Sequence, residues 1–147
     1  MNELAYFMDL ELETEGQTLH PRPETEILVE KALEIIKETK NSKAIYDILD
    51  IGTGSGNIAI SLTKHSHSSK MVALDICENA LRIAQKNADK YGVKNRIKFI
   101  KSDVFDGLSS VFRNSFDLIQ SLFFRQFRRS IKIRKNPVGQ PDGAPSQ

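Results

Sequence analysis

"YDILDIGTGSGNIAISL", residues Tyr46 to Leu62, decides how this chain is read. Its opening residues form a short apolar run rich in isoleucine, as expected of a strand buried in a parallel sheet. Gly52, Gly54 and Gly56 follow at alternate positions, with Thr53 and Ser55 between them. Asp50 stands two places before the first glycine. From about Asn57 to Lys64 the spacing becomes helical. A strand, a bare turn and a helix in that order let a ligand approach the backbone where a side chain would collide.

The same alternation continues downstream. "KMVALD" reads as a second strand, and "ENALRIAQKNADKYGV" as a helix with Ala80, Ile83, Ala84, Asn87, Ala88 and Tyr91 on one face, stopped by Gly92. "RIKFIKSD" is a third strand, "FDGLSSVFRNS" a connector or short helix, and "FDLI" the opening of a fourth strand. Upstream, "PRPETEILVEKALEIIKETK" is a helix that "NSK" breaks. Pro23 suits its first turn, Glu24 and Glu26 favour its positive end, and Leu28, Ala32, Ile35 and Ile36 make its apolar face. "AYFMDLELETEGQTLH" reads as a β-hairpin with its turn at Glu15-Gly16-Gln17. The expectation is an α/β, Rossmann-like fold whose mostly parallel sheet is covered on both faces. A hairpin lead-in would occupy 1–22, a partial Rossmann-like domain 23–119, and a basic tail 120–147.

With 147 residues, one domain is expected. Charged residues at 27% and hydrophobic ones at 39% describe an ordinary soluble composition. The acidic start, "MNELAYFMDLELETEG", has no long apolar stretch and reads as neither a signal peptide nor a membrane span. Cys77, the only cysteine, excludes an intrachain disulfide and suits the cytoplasm. The net charge of +2 hides an asymmetry: residues 120–147 carry Arg125, Arg128, Arg129, Lys132, Arg134 and Lys135 against Asp142, so the body before them is mildly acidic. Any nucleic-acid reading rests on that tail. Its "FFRQFRR" could stack on bases and meet phosphates. A break in the reading frame near Gln120 is the plainer account, because the composition changes where a strand should continue, and a disordered end is expected.

The spacing of the loop narrows the ligand. G-x-G-x-G differs from the dinucleotide pattern G-x-G-x-x-G, and no Lys follows Gly56 as a phosphate loop requires. No basic residue lies between Leu49 and Thr63 to meet a pyrophosphate. Asp75 ends the second strand, where a carboxylate can accept hydrogen bonds from ribose hydroxyls. Asp103 ends the third, beside where an adenine edge would lie. An adenosine without phosphate, carrying an amino acid at its other end, matches these features. S-adenosyl-L-methionine fits, and its positive sulfonium suits an acidic site.

"TLHPRPETEILVEKAL", "ILDIGTGSGNIAISL", "VALDICENALRIAQKNA" and "FDLI" together resemble the HemK/PrmC-type methyltransferases, over about Tyr6 to Ile119. That family methylates the glutamine side-chain amide of the GGQ motif in peptide chain release factors, using S-adenosyl-L-methionine. The glycine motif is shared by most class I methyltransferases; "PRPETE" after a hairpin is more specific. The resemblance implies that Gly52 to Gly56 line the methionine end of the cofactor, with Asp50 also counted among the cofactor-binding residues. It also implies that Asp75 holds the ribose and that Asp103 and Val104 lie near the adenine. Two departures stand beside it. The family's helical domain before the hairpin is absent, and its N-P-P-Y tetrapeptide is replaced by Leu122, Phe123, Phe124 and Arg125. The later Asn136-Pro137 lacks the second Pro and the Tyr. The expected activity is therefore impaired. A non-catalytic cofactor-binding remnant and an adenine-amino methyltransferase acting on nucleic acid remain alternatives.

The other polar residues carry less. His65 and His67 read as solvated loop histidines, since a metal needs further ligands at suitable spacing. His20 reads as a hairpin-edge residue, and Cys77 as packing beside the ribose site without a base partner. Thr25 and Glu26 could close the pocket or simply begin a helix.

Overall fold

The computed structural model describes residues 3–16, 21–38, 45–103, and the backbone of 118–121 and 131–133. Strands β1 (Glu3–Phe7) and β2 (Leu10–Thr14) form an antiparallel hairpin, followed by α1 (Pro23–Glu38). The Rossmann-like body runs β3 (Tyr46–Ile51), α2 (Asn57–His65), β4 (Ser69–Asp75), α3 (Glu78–Lys90), β5 (Ile97–Lys101), β6 (Leu118–Ser121) and β7 (Ile131–Ile133). The sheet order is β5-β4-β3-β6-β7. Its first four strands are parallel and β7 is antiparallel to β6. The chain moves from β3 outward through β4 to β5, then returns to place β6 on the other side of β3. That reversal puts the glycine loop at a topological switch point, where open α/β sheets bind ligands.

Residues of alternate parity on the strands build two cores. Tyr46 and Ile48 of β3, Met71 and Ala73 of β4, and Ile97 of β5 face a cluster that takes in Val29, Ala32 and Ile36 of α1, Ile58 and Leu62 of α2, and Ala88 of α3. Leu49, Ile51 and Leu74 face the opposite side in a smaller cluster. By the same two-residue period, Asp50 and Asp75 belong to the helix-covered face. The buried stripe of α1 is Thr25, Val29, Ala32 and Ile36, rotated by one position from the expected face, so Leu28 and Ile35 are only half-buried.

The hairpin exists, but its turn is Met8-Asp9, not Glu15-Gly16-Gln17. Met8 takes a left-handed φ of 53°, unusual for a non-glycine residue, and its N–H donates to Glu26 Oε1 at 2.8 Å. Asp9 is tied to α2 through Lys64 Nζ at 2.6 Å and His65 Nε2 at 3.1 Å, and the Lys64 bond holds its carboxyl below the usual range. The turn is therefore imposed by tertiary contacts, with no Gly or Asn to announce it. His65 ends α2 instead of lying in a loop, and its Nδ1 is 2.8 Å from Ser61 O.

Pairing of Phe7 with Leu10 across a two-residue turn points the N–H and C=O groups of Glu11 and Glu13 away from β1. Side chains of α3 satisfy them. Tyr91 Oη receives the Glu11 N–H at 2.7 Å and donates to Glu11 O at 2.9 Å. Asn87 Oδ1 receives the Glu13 N–H at 2.9 Å and its Nδ2 donates to Glu13 O at 2.9 Å. A helical step of four residues is about 6 Å and a strand step of two is about 6.8 Å, so the two ladders match. Ion pairs repeat that spacing outside, from Lys90 to Glu11 and from Lys86 to Glu13. The edge of β2 is thus covered by a helix where a third strand would otherwise pair.

After Gln120 the sheet continues: β6 extends to Ser121, and Ile131–Ile133 adds an edge strand within the segment expected to be disordered. The rest of 122–147, including Leu122 to Arg125 and Asn136-Pro137, lies outside the described residues, as do His20, Val104, the "NSK" break and the "FDGLSSVFRNS" connector.

Candidate functional site

The glycine loop folds back over the end of β4. Gly52 N and Thr53 N both donate to Leu74 O, at 2.8 and 2.9 Å, and Gly56 N donates to Thr53 O at 2.9 Å. All three glycines have positive φ: 73° at Gly52, 57° at Gly54 and 84° at Gly56. They differ in surroundings. A Cβ on Gly56 would come within 2.9 Å of Ile60 Cδ1 and 3.2 Å of Ala84 Cβ, because α2 and α3 close on it. A Cβ on Gly54 would meet nothing within 4 Å. Gly56 is a packing glycine; Gly54 lies beside open space a ligand can enter.

Asp75 sits across from that space. Its Oδ2 accepts the Gly54 N–H at 2.9 Å and its Oδ1 accepts the Cys77 N–H at 2.9 Å, at the start of α3. An ionised carboxylate has about four acceptor positions, so two remain for other donors. Ser102 N donates to Asp75 O at 3.0 Å, drawing the end of β5 alongside and setting exposed Asp103 next to it. Thus Gly52 to Gly56, Asp75 and Asp103 gather at one rim of the sheet. Ile76, 65% exposed, stands at the same rim and was not singled out in the sequence. A large apolar side chain directly after a strand-ending acid is the signal that could have found it.

Asp50 lies beneath the loop, 1% exposed, and neither carboxyl oxygen has a hydrogen-bond partner. Burial pushes its pKa up to about 7; the nearby Thr53 hydroxyl and, less, the Ala59 backbone N–H offset part of that rise, and the charge of Asp75 adds to it. The Thr53 hydroxyl is buried and itself without a bond of good geometry. An orphaned acid under an open glycine loop suits a ligand that brings positive charge or N–H donors. Thr25 is buried inside α1 and Glu26 is engaged with the hairpin turn.

The strand order and the loop at the switch point define a Rossmann-like class of domain. Comparison with known proteins narrows it: the chain belongs to the methyltransferase domain family, whose profile matches residues 42–139. It is 38% identical over 122 residues to the release factor glutamine methyltransferase of Chlorobaculum tepidum, covering 80% of this chain and 40% of that protein. It is 44% identical over 117 residues to the enzyme of the same name from Lactococcus lactis subsp. lactis, covering 80% and 39%. The chain therefore spans about 40% of the length of these curated relatives. A crystal structure of an S-adenosylmethionine-dependent methyltransferase from Agrobacterium tumefaciens superposes with a TM-score of 0.67 at 13% identity, over 82% of this chain and 39% of that one, which establishes likeness of fold.

Proposed function

We propose that residues 23–119, with the hairpin before them, form the S-adenosyl-L-methionine-binding part of a release factor glutamine methyltransferase. The observation that carries this is the Asp75 carboxylate, which holds the Gly54 amide while keeping acceptor positions beside open space. Those positions would receive the ribose hydroxyls. Ile76 and Asp103 at the same rim would flank the adenine, joined by Val104, and Gly52, Thr53, Gly54, Ser55 and Gly56 would bound the methionine end above Asp50. S-adenosyl-L-methionine, when bound, supplies a methyl group on a positively charged sulfur. What the chain's residues contribute is binding and orientation: a loop that admits the ligand's backbone-sized groups, acceptors for its hydroxyls, and a buried acid that favours its charge.

The substrate, by likeness to the relatives, is the side-chain amide of a glutamine in a peptide chain release factor. An amide nitrogen is a poor nucleophile because its lone pair is delocalised, so the amide must be held with its nitrogen aimed at the methyl group. Positioning of that kind can supply several kcal/mol of barrier lowering. The four positions where the family carries N-P-P-Y for this purpose read Leu122, Phe123, Phe124 and Arg125. The chain as written is therefore a cofactor-binding unit with little or no transfer activity. A cytoplasmic setting agrees with the single cysteine, Cys77. Among the described residues no helix is long and apolar enough to cross a membrane.

Calorimetric titration tests the ligand. S-adenosylhomocysteine should bind and NAD should not; preference for NAD would overturn the reading. Radiolabelled methyl transfer to a release factor carrying GGQ, with a Gln-to-Ala substrate as control, tests the rest. The 147-residue chain should give little or no transfer, and a chimera with a homologous complete carboxyl half after Ile119 should give Gln-dependent transfer. Robust transfer by the unmodified chain would refute the loss of the amide clamp.

A further inference from the structure

Asn87 is 1% exposed and spends its whole side chain on two other segments. Its amide pairs with both backbone groups of Glu13 in the hairpin, and the same Nδ2 donates a second bond, at 2.9 Å, to Ser55 O in the glycine loop. Ala84, one turn earlier on α3, closes on the loop beside Ile60 of α2: its Cβ would lie 3.2 Å from a Cβ placed on Gly56. One stripe of α3 therefore touches both sides of the Ser55–Gly56 peptide bond, by a hydrogen bond at its carbonyl and by contact at the next Cα. Asparagine suits this task because it offers two N–H donors and an acceptor at once. Leucine of similar volume would fill the space but offer no donor to the buried Ser55 O and none of the amide's bonds to Glu13.

We infer that Asn87 is a positioning residue for the cofactor: by holding Ser55 O it sets the plane of the loop peptides that face the ligand. The consequence for binding rests on the cofactor reading given above; the consequence for loop geometry does not. Tyr91 provides an internal comparison. It makes the same kind of paired contact with the hairpin, at Glu11, and it has no bond to the loop among the described residues.

The full chain is tested as Asn87→Asp, Asn87→Ser and Tyr91→Phe. Asn87→Asp keeps an acceptor for the Glu13 N–H but replaces donation to Ser55 O by repulsion. Its affinity for S-adenosylhomocysteine should fall at pH 8 by about tenfold or more, the worth of one buried hydrogen bond. The deficit relative to the unmodified chain should shrink at pH 5.5, where a protonated carboxyl can again donate. Asn87→Ser, which leaves room for a bridging water, should fold and lie between the two. Tyr91→Phe should loosen the hairpin, lowering Tm, while affinity stays within about twofold. The amide resonances of Gly54 and Gly56 should shift in the Asn87 variants and hold still in Tyr91→Phe. Unchanged affinity in a folded Asn87 variant, or an equal loss in Tyr91→Phe, would overturn the inference. If the unmodified chain bound no S-adenosylhomocysteine, the cofactor reading would fall, and the glycine resonances would still decide whether Asn87 positions the loop.

Discussion

The ends of β3 and β4 lie side by side on the same face of the sheet, and each carries an aspartate with an opposite fate. Asp75, at the rim, is half-buried and receives two backbone N–H groups, from Gly54 and Cys77. Asp50, one strand over and under the loop, is buried and has no partner for either oxygen. The difference follows from where the chain leaves each strand. After β4 it turns straight into α3, whose first N–H groups need acceptors. After β3 it makes the glycine turn, which sends its N–H groups to Leu74 O and to Asp75 and none to Asp50. A carboxylate in the first setting can serve structure and ligand together. In the second, burial raises its pKa to about 7.

The largest effect is expected where the turn itself is broken. Gly56→Val places a branched side chain against Ile60 and Ala84 at a φ of 84°. Left-handed strain and overpacking together should cost about 2–5 kcal/mol, read as a loss of Tm or denaturant midpoint. Gly54→Ala shares the left-handed backbone but meets no neighbour, so it should cost only about 1 kcal/mol. Equal losses at the two glycines would mean that packing does not distinguish them.

Next comes the titration of Asp50. Its folded pKa of about 7 lies above the ordinary 3.8, so between those values the folded chain binds more protons than the unfolded one. Stability from this group is fully present below about pH 4, falls as pH rises toward 7, and levels off above it. The loss should be about 4 kcal/mol between pH 4 and 8, measured by urea unfolding. Asp50→Asn should flatten that part of the profile and leave the chain more stable than the parent at pH 8. A parent profile that rises through this window would show that Asp50 is ionised and partnered in the folded chain.

How far such contrasts could be read beforehand depends on whether they are local. The strand–turn–helix around Gly52 to Gly56 was legible because period, glycine spacing and helix start all lie within a few residues. Asp75 and Asp103 were legible for the same reason, as acids closing apolar runs. The Met8-Asp9 turn was not: nothing in its own residues forces it, and Glu26 and α2 supply the constraint. Asn87 and Tyr91 were visible as members of a helix face. Their polar groups find the hairpin edge and the loop only after α3 is docked, so no spacing rule points to them. The burial of Asp50 is likewise a property of the assembled layers. Its place before the glycines suggested a ligand contact, and only the packing of α2 over β3 reveals the missing partners.

The smallest of these effects, and the most direct probe of the contrast between the two aspartates, is at Asp75. Asp75→Ala removes an acceptor from both the Gly54 N–H and the Cys77 N–H. Stability should fall by about 1 kcal/mol, as for loss of a helix cap, and S-adenosylhomocysteine affinity by about 1–3 kcal/mol, because ribose hydroxyls lose a charged acceptor. Asp75→Asn keeps one carbonyl oxygen, which can serve either Gly54 or Cys77 but not both, and should fall between Ala and the parent in both measurements. The two readouts need not move together. If the carboxylate serves only the backbone, stability drops and affinity follows only as far as the loop loosens. If it also meets the ligand, affinity drops further than stability in the Ala variant. Calorimetric titration of all three proteins, paired with urea unfolding of each, separates these outcomes. Equal affinities across the three would remove Asp75 from the site and leave it a helix-capping acid.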